Sequence, residues 1–251
     1  MQINTKGLVL REVKTGEADR ILTILTPGHG IISASARGGL RPKSKLFSAT
    51  SLFCYSDWTL FEARTMYKVN EADAIEVFFG IRENVEDVSL AVYIAELLQI
   101  LSPTGDEAAT LLSLALNSLH LLSTHMRNAY FVKPVFEMRA FSESGFMPDV
   151  TACESCGKYE DTSFRFGPHH GTLLCSACAE EKGREVNLDA AALYALRHIV
   201  LSDDKKVFSF TLKPNSLRLL SRAVEAFILC HMDYPPKSLS FLKTVLGEGD
   251  L

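Results

Sequence analysis

The sequence lacks the features that mark membrane proteins and exported proteins. Its longest apolar runs, around Glu96 and around Asn117, are interrupted by polar residues and are shorter than the ~20 residues that a membrane-spanning helix needs. The first segment, MQINTKGLVLREVKTGE, has neither an apolar stretch long enough for an export signal nor a small-residue cleavage site. We therefore expect no membrane segment and a location in the cytoplasm.

Common catalytic motifs are also lacking. The sequence contains no G-x-x-x-x-G-K-[ST] phosphate loop, no H-E-x-x-H zinc motif and no G-x-S-x-G nucleophile elbow. No histidine is followed two residues later by a glutamate, as a zinc deaminase requires. The carboxylates of Glu12, Glu17 and Asp19 are close in sequence, but on alternating strands such groups usually form a solvated face. The sequence therefore predicts a protein that is not an enzyme.

What the sequence does have is the composition of an ordinary globular protein. Hydrophobic residues make up 47% of its 251 residues and charged residues 22%, and a chain of this length usually forms two domains. The formal net charge is −4, yet residues 1–74 carry ten Lys or Arg against seven Asp or Glu. Any basic face therefore belongs to the front of the chain.

Five segments of the front part alternate apolar and polar residues, as half-buried strands do. They are GLVLREV, RILTIL, GIISASAR, SLFCYSDWTLFEA and TMYKVNEA. Pro27 and Gly28 predict a turn, and hence a hairpin, between the second and third strands. Five short strands with no helix to connect parallel neighbours favour a small antiparallel barrel of the OB type over residues 1–79, with an SH3-like barrel as the alternative.

From Gly80 onward, apolar residues recur every three or four positions, which is typical of helices. The pattern predicts two helices separated by SPTGDEA, a third over about 128–144, and two more over about 189–201 and 214–231. Residues 80–251 are therefore predicted to form an α-helical domain. The predicted fold class is α+β, with the N-terminal five-stranded barrel followed by this helical domain.

Four cysteines at paired spacing are the strongest chemical signal in the sequence. They lie in a polar insertion, residues 150–182, in the pattern C-x₂-C-x₁₈-C-x₂-C, and are Cys153, Cys156, Cys175 and Cys178. Two such pairs supply the thiolates of a tetrahedral zinc site, and a complete Cys₄ shell leaves no position for a substrate. We predict one structural Zn²⁺. The alternatives are ordinary thiols, two disulfides, or a ligand from His169 or His170.

The two other cysteines are isolated in the sequence. Cys54 lies in a predicted strand and Cys230 in the last predicted helix. Both are predicted to be small core residues without a role in binding.

The segment RGGLRPKSK, residues 37–45, follows the third predicted strand and carries four positive charges. Its cations and four from neighbouring strands are the predicted DNA-binding residues: Arg37, Arg41, Lys43 and Lys45, with Arg11, Arg20, Arg64 and Lys68. A small barrel is a common platform for a phosphate backbone, and Gly38 and Gly39 would allow that backbone to approach closely. The alternative is a solvated loop.

Aromatic residues in the same region could stack on unpaired bases, although on alternating strands at least half must face the core. They are Phe47, Phe53, Tyr55, Trp58, Phe61 and Tyr67. None of them is assigned a role from the sequence.

Taken together, these segments resemble the RecO family of bacterial recombination mediators. The resemblance rests on KGLVLREVKTGEADRILTILTPGHGIISASARGGLRPKSK, on SESGFMPDVTACESCGK and on CSAC, and it spans nearly the whole chain. The basic ARGGLRPKSK and the GF-x-P turn before the first cysteine pair are among its most specific parts. The cysteines place the chain in the zinc-bearing group of the family.

The resemblance implies an OB-fold front domain, a helical rear domain with the zinc module, and a role in recombinational DNA repair. It implies binding of single- and double-stranded DNA, annealing of complementary strands, and loading of a recombinase onto DNA covered by single-strand-binding protein. The implied partners are DNA, a RecR-like protein and the acidic tail of single-strand-binding protein, and the implied location is the nucleoid of the cytoplasm. Arg127 and Arg139, beside aromatic residues, are candidate contacts for that tail.

Two other classes of function remain open at the level of sequence. One is a zinc-containing OB-fold scaffold for protein partners without a direct DNA role, and the other is a zinc hydrolase with an unrecognised site. DNA binding through several phosphates must weaken steeply with salt, whereas an apolar protein interface need not. A hydrolase would need an open zinc coordination position.

Overall fold

The computed structural model describes residues 1–247, which form two compact units. The first unit comprises Met1–Met126 together with residues 236–247, and the second comprises Arg127–Pro235. The domain boundaries predicted from the sequence, residues 1–79 and 80–251 with an insertion at 150–182, remain a proposal. No helix within residues 1–247 combines the length and the apolar character needed to cross a membrane.

Five strands of the first unit close into a barrel. They are β1 (Gln2–Thr15), β2 (Asp19–Thr26), β3 (Gly30–Ala36), β4 (Cys54–Phe61) and β5 (Tyr67–Val77). Their order around the barrel is β1-β2-β3-β5-β4, and β3 pairs with β5 in parallel while the other neighbours are antiparallel. The predicted five-stranded barrel of the OB type is confirmed.

Outside the barrel strands the chain is mostly helical. Its helices are, in chain order, α1 (Leu46–Ala49), α2 (Val85–Leu101), α3 (Gly105–Ser123), α4 (Ala129–Glu143), α5 (Ser176–Glu181), α6 (Ala190–Leu201), α7 (Pro214–Cys230) and α8 (Lys237–Val245). The five predicted helices are confirmed as α2, α3, α4, α6 and α7. Helices α1, α5 and α8 were not predicted from the sequence, because each is shorter than the window over which helical periodicity can be recognised.

The interior of the barrel is filled by apolar side chains from all five strands and from α1. They are Val9, Leu22, Ile24, Ile32, Ala34, Ala36, Ala49, Trp58, Leu60 and Ala72. Trp58 is fully buried, and its indole Nε1 donates to the carbonyl of Gly7 at 3.1 Å. A Cβ on Gly7 would lie 2.6 Å from Ile24 Cγ2, so only glycine fits at this crossing of β1 and β2.

In the rest of the first unit, α2 and α8 pack against each other. The side chain of Asn84 caps the start of α2 by accepting from Asp87 N at 2.8 Å. At the start of α8, the backbone N–H groups of Lys237 and Ser238 donate to the carboxylate of Glu96 on α2, at 2.9 and 2.8 Å. One carboxylate therefore fixes the first turn of α8.

The second unit combines helices with a small sheet. Its strands are β6 (Ser163–Phe166), β7 (Leu173–Cys175) and β8 (Leu188–Asp189), in the order β7-β6-β8. Helix α4 buries an ionic cluster in which Lys133 Nζ lies 3.2 Å from Glu137 Oε1 and 2.8 Å from Glu225 Oε2. The paired charges compensate one another's burial.

The two isolated cysteines differ in burial. Cys54 is fully buried, as predicted, and burial raises the pKa of its thiol. The prediction is wrong for Cys230, which is exposed. The buried stripe of α7 passes through Val224, Phe227 and Ile228, and residue 230 points away from that stripe.

Candidate nucleic-acid interface and metal centre

The basic segment after β3 is a folded series of turns attached to the start of β2. The backbone N–H of Gly38 donates to Asp19 Oδ1 at 2.8 Å, and that of Leu40 donates to the carbonyl of Ala18 at 2.8 Å. Within the segment, Arg41 N donates to Gly38 O at 3.1 Å. Gly38 has φ +67°, a conformation that favours glycine.

The two glycines serve the fold of this segment. A Cβ on the buried Gly39 would lie 3.2 Å from Thr50 Oγ1 and 3.3 Å from Ala36 O, tighter than an ordinary contact. The expectation that both glycines face a DNA backbone is therefore corrected for Gly39, which packs against the barrel. Gly38 is needed for its positive φ.

All four cations of the segment point to solvent. Arg37, Arg41, Lys43 and Lys45 are exposed, and none of them forms an ion pair with a carboxylate within residues 1–247. Exposed cations that form no ion pair are available to an external polyanion.

Arg20 is placed differently from the other predicted DNA-binding residues. Its side chain is only 5% exposed and lies 3.4 Å from Glu12 Oε2. Its Nη1 donates to Phe47 O at 3.0 Å and Thr50 Oγ1 at 2.9 Å. The prediction that Arg20 contacts DNA is corrected for this reason: its guanidinium is buried and holds the segment between β3 and β4.

Strand register shows which of the remaining predicted cations lie near residues 37–45. Lys68 is exposed and pairs with Ser35 on β3, two positions before Arg37. Arg64 precedes the start of β5, whereas Arg37 follows the end of β3, so the two lie toward opposite ends of a parallel strand pair. Arg11 is exposed but pairs with Thr23, in the middle of β2. The structure therefore groups only Lys68 with the basic segment.

One further cation at this end of the barrel was not predicted from the sequence. Lys14 is exposed and pairs with Arg20, which in turn pairs with Ala36, the residue before Arg37. The strand register could have revealed Lys14, because the hairpin formed by β1 and β2 turns at residues 16–18.

The six aromatic residues divide between core and surface. Trp58 and Phe53 are buried, Tyr55 is half-buried, and Tyr67 packs against the barrel core. Phe47 is 40% and Phe61 43% exposed. The guanidinium of Arg20 lies 5.4 Å from the ring centre of Phe47 and orients it next to the basic segment.

The four cysteines of the paired motif come together in the second unit. Their sulfur atoms all lie within 4.8 Å of one another, and those of Cys156 and Cys175 are 3.6 Å apart. A zinc ion ~2.3 Å from each sulfur requires sulfur–sulfur distances of about 3.8 Å. The cluster can hold a metal ion, and its four soft sulfur ligands suit zinc.

Local backbone structure explains why these cysteines meet. Gly157, at φ +73°, closes a tight turn in which its N–H donates to Cys153 O at 2.8 Å. Cys175 pairs with Phe164 in the β6–β7 hairpin and caps α5, whose first turn carries Cys178. Each cysteine pair therefore belongs to a rigid turn.

The thiols are electrostatically coupled. Burial opposes ionisation of Cys153, but backbone hydrogen bonds from Cys175, Cys156 and Ser155 outweigh it and lower its pKa to about 6. The pKa of Cys178 is raised, chiefly by its contacts with the thiols of Cys175 and Cys156. Four sulfurs at this spacing ionise together only with a cation among them. The arrangement therefore favours a cation.

The alternative metal ligands are elsewhere. His169 and His170 are exposed and do not join the cysteine cluster.

Asp161, near the second cysteine pair, accepts from Ser176 Oγ at 2.7 Å and lies 3.2 Å from Lys158 Nζ. These contacts lower the pKa of Asp161, the bond from Ser176 being the largest cause.

The two arginines suggested for an acidic tail are both engaged inside the second unit. Arg139 donates to the carbonyls of Ile199 and Val200 and pairs with Asp204. Arg127 donates to the carbonyls of Phe208 and Phe210, and its guanidinium lies 4.7 Å from the ring centre of Phe131. The structure therefore gives both side chains structural partners.

Comparisons with known proteins agree over almost the full chain. The profiles for the "Recombination protein O N terminal" and "Recombination protein O C terminal" regions match residues 1–78 and 82–240. The chain is 36% identical to the DNA repair protein RecO of Acetivibrio thermocellus, covering 97% of each chain. It is 31% identical to that of Alkaliphilus metalliredigens, covering 93% of this chain and 95% of the relative. With the OB-type barrel and the helical second unit, these matches show that the chain belongs to the RecO family.

Proposed function

We propose that this protein is a recombination mediator in DNA repair. It binds single- and double-stranded DNA, anneals complementary strands, and helps to load a recombinase onto DNA covered by single-strand-binding protein. The names of its relatives support the repair role. The observation that carries direct DNA binding is the exposed basic segment of residues 37–45, whose four cations form no ion pair with a carboxylate among the described residues.

The mechanism of binding is charge neutralisation. Cations that contact phosphates release condensed counterions, which favours binding without reading base sequence. Lys14 and Lys68, which flank the segment in the strand register, extend the contact to the neighbouring strands. Phe47 and Phe61 are the exposed aromatic side chains of this region that can stack on unpaired bases.

Annealing follows from the same charge. Two complementary strands repel each other until their phosphates are neutralised, so a surface that neutralises one strand lowers the cost of bringing up the second. The protein acts by binding and supplies no covalent chemistry. Its proposed partners are a RecR-like protein and the acidic tail of single-strand-binding protein, and its proposed location is the cytoplasm, at the nucleoid.

The metal of the second unit is proposed to be one structural Zn²⁺. Cys153, Cys156, Cys175 and Cys178 would hold it as a closed Cys₄ shell. When bound, the ion supplies cross-linking of the two cysteine turns. The cysteines and the turns that carry them keep the module folded, and no position is left for substrate.

A salt titration of binding to labelled single-stranded DNA tests the DNA-binding proposal. In a variant with Arg37, Arg41, Lys43 and Lys45 changed to Ala, the slope of log K against log salt should become shallower by as much as ~3, at ~0.7 per lost contact. Annealing of complementary strands should weaken with it. Folding and metal content should stay the same.

A charge-matched variant provides the control. It carries Ala at four exposed cations of the second unit: Lys205, Lys206, Arg218 and Arg222. Its salt slope should stay close to that of the parent protein. An unchanged slope in the first variant would favour the scaffold without a direct DNA role, and equal losses in both variants would show diffuse charge instead of a defined site.

A further inference from the structure

Arg197 on α6 carries a buried guanidinium that contacts the cysteine module, which we define as residues 150–182. The residue is 5% exposed. Its Nε donates to Val150 O at 2.8 Å, and its Nη2 donates to Thr151 O at 2.9 Å and Tyr159 O at 2.8 Å. Three carbonyls therefore converge on one side chain that is not itself part of the module.

These carbonyls lie on both sides of the first cysteine pair. Val150 and Thr151 precede Cys153, and Tyr159 follows Cys156. Between them the chain closes on itself, since Cys153 N donates to Lys158 O at 2.9 Å. Arg197 thus joins the chain that enters the first cysteine turn to the chain that leaves it.

The Arg197 guanidinium also contacts an aromatic ring of the same segment. The guanidinium carbon of Arg197 lies 4.0 Å from the ring centre of Tyr159, at cation–π distance. One turn earlier on α6, Tyr194 Oη donates to Glu160 Oε1 at 3.0 Å. Helix α6 therefore contacts the segment after the first cysteine turn from two successive helical turns.

The second cysteine pair is connected to the same helix through the sheet. Phe164 of β6 pairs with Cys175 of β7 on one side and with Leu188 of β8 on the other. Strand β8 leads directly into α6, whose first turn is capped by Asp189. Both halves of the metal-binding cluster are thus attached to α6, one through Arg197 and one through the sheet.

We propose that Arg197 is the positioning residue of the metal centre: it holds the first cysteine pair at the spacing that the metal requires and couples metal binding to α6. This inference rests on the proposal that the four cysteines bind zinc. An arginine suits the task because its planar fork donates to several carbonyls at once and stays charged at any pH at which the protein folds. A lysine would keep the charge but not the fork.

The test compares Arg197→Lys with Arg165→Lys in the full-length protein. Arg165 is a matched control, since it lies on β6 within the module, is only partly buried, and donates to a single carbonyl, that of Glu185. Zinc content is measured first, and the rate of zinc release to a chelator is then followed with a colorimetric indicator. We expect release from Arg197→Lys to be faster by about tenfold or more, as for other partners outside the ligand shell, and release from Arg165→Lys to match the parent protein.

The outcomes separate the two proposals. A parent protein purified under reducing conditions without zinc would refute the metal proposal and, with it, this inference. Zinc in the parent protein with unchanged release from Arg197→Lys would refute only the role of Arg197. Equal acceleration in both variants would also refute it, because the effect would then be a general loosening of the module.

A second measurement needs no variant and decides the case if Arg197→Lys does not fold. Hydrogen exchange is compared between the zinc-loaded and the chelator-treated parent protein. Removal of zinc should speed exchange in α6 (Ala190–Leu201) as well as in residues 150–160, while α2 (Val85–Leu101) of the first unit serves as the internal reference. Faster exchange in residues 150–160 with unchanged α6 would show that metal binding is not coupled to this helix.

Discussion

The two units attach their peripheral segments with opposite chemistry. In the first unit, carboxylates accept backbone N–H groups: Asp19 holds Gly38, and Glu96 holds the start of α8. In the second unit, buried and half-buried arginines donate to backbone carbonyls. They are Arg127, Arg139 and Arg197.

This difference determines what each unit can do with its surface and how it responds to acid. A guanidinium stays charged across the range of pH in which proteins fold, whereas a carboxylate loses its charge in acid. The second unit also uses three of its arginines, Arg127, Arg139 and Arg197, for internal contacts. The first unit buries Arg20 in the same way but leaves the four cations of residues 37–45 free. The backbone of residues 37–45 is attached through the carboxylate of Asp19, and the four cations of that segment stay exposed.

The largest expected effect tests whether arginine contacts alone can hold the second unit. In Cys175→Ser, the metal content should fall from about one ion per chain to near zero, and residues 150–182 should lose protection from hydrogen exchange. Exchange in the barrel should not change. Cys230→Ser, at an exposed and isolated thiol, is the control. Full metal content in Cys175→Ser would contradict the proposed ligand set.

The next largest effect concerns the buried arginine of the first unit. Arg20→Met should lower the free energy of unfolding by about 2–3 kcal/mol, because it leaves Glu12 without its partner and Thr50 Oγ1 without its donor. Urea unfolding measures the loss. The exposed Arg37→Met should change the same free energy by less than about 0.5 kcal/mol. Similar values for the two variants would refute a structural role for Arg20.

A smaller effect separates the position of the basic segment from its charge. Asp19→Ala removes the acceptor of Gly38 N and should cost about 1 kcal/mol of stability. DNA affinity should fall because the segment is less ordered, while the salt slope should stay the same because its four cations remain. Glu17→Ala, an exposed neighbour with the same change of charge, should leave affinity no lower. A shallower slope in Asp19→Ala would contradict this separation.

The smallest effect is the response of α8 to acid. Burial opposes ionisation of Glu96, but hydrogen bonds from the hydroxyl and N–H of Ser238 and the N–H of Lys237 outweigh it and lower its pKa from the ordinary value of a glutamate. A depressed pKa means that this carboxylate stabilises the fold at any pH above its unfolded-state pKa, and that the contribution is lost as the pH falls through the lower, folded-state pKa. Hydrogen exchange in α8 should therefore increase in acid.

The matched variant for this response is Glu96→Gln. It should show faster exchange in α8 already at neutral pH, equivalent to about 1 kcal/mol, and little further change in acid. A response to acid as large as that of the parent protein would assign the effect to another group.

The sequence predicted the barrel, five helices and the cysteine cluster because each has a periodic or spaced pattern. It did not predict the burial of Arg20, although the signal was present: Arg20, Leu22 and Ile24 alternate along β2, and all three are buried. Charge alone suggested an exposed residue, whereas strand parity indicated the inward face. The partners that make its burial acceptable, Phe47 O and Thr50 Oγ1, are distant in sequence and become adjacent only in the fold.

The role of Arg197 was also beyond the sequence. The three carbonyls that it contacts belong to residues about forty positions earlier, and main-chain acceptors leave no mark on residue type. The packing of Gly39 against the barrel could not be predicted from the sequence for a similar reason. A glycine pair in a basic segment indicates close approach, but only the structure shows that the barrel itself makes that approach.

The return of α8 to the first unit has a consequence for protein synthesis. A ribosome makes Met1–Met126 first and Arg127–Pro235 next, and only then the residues of α8. Until that point the nascent first unit lacks Leu239 and Leu242, which are buried in the finished protein. Folding of the first unit therefore cannot finish until the whole second unit has left the ribosome. A pause or truncation within the second unit leaves the surface of α2 that packs against α8 exposed to chaperones and proteases.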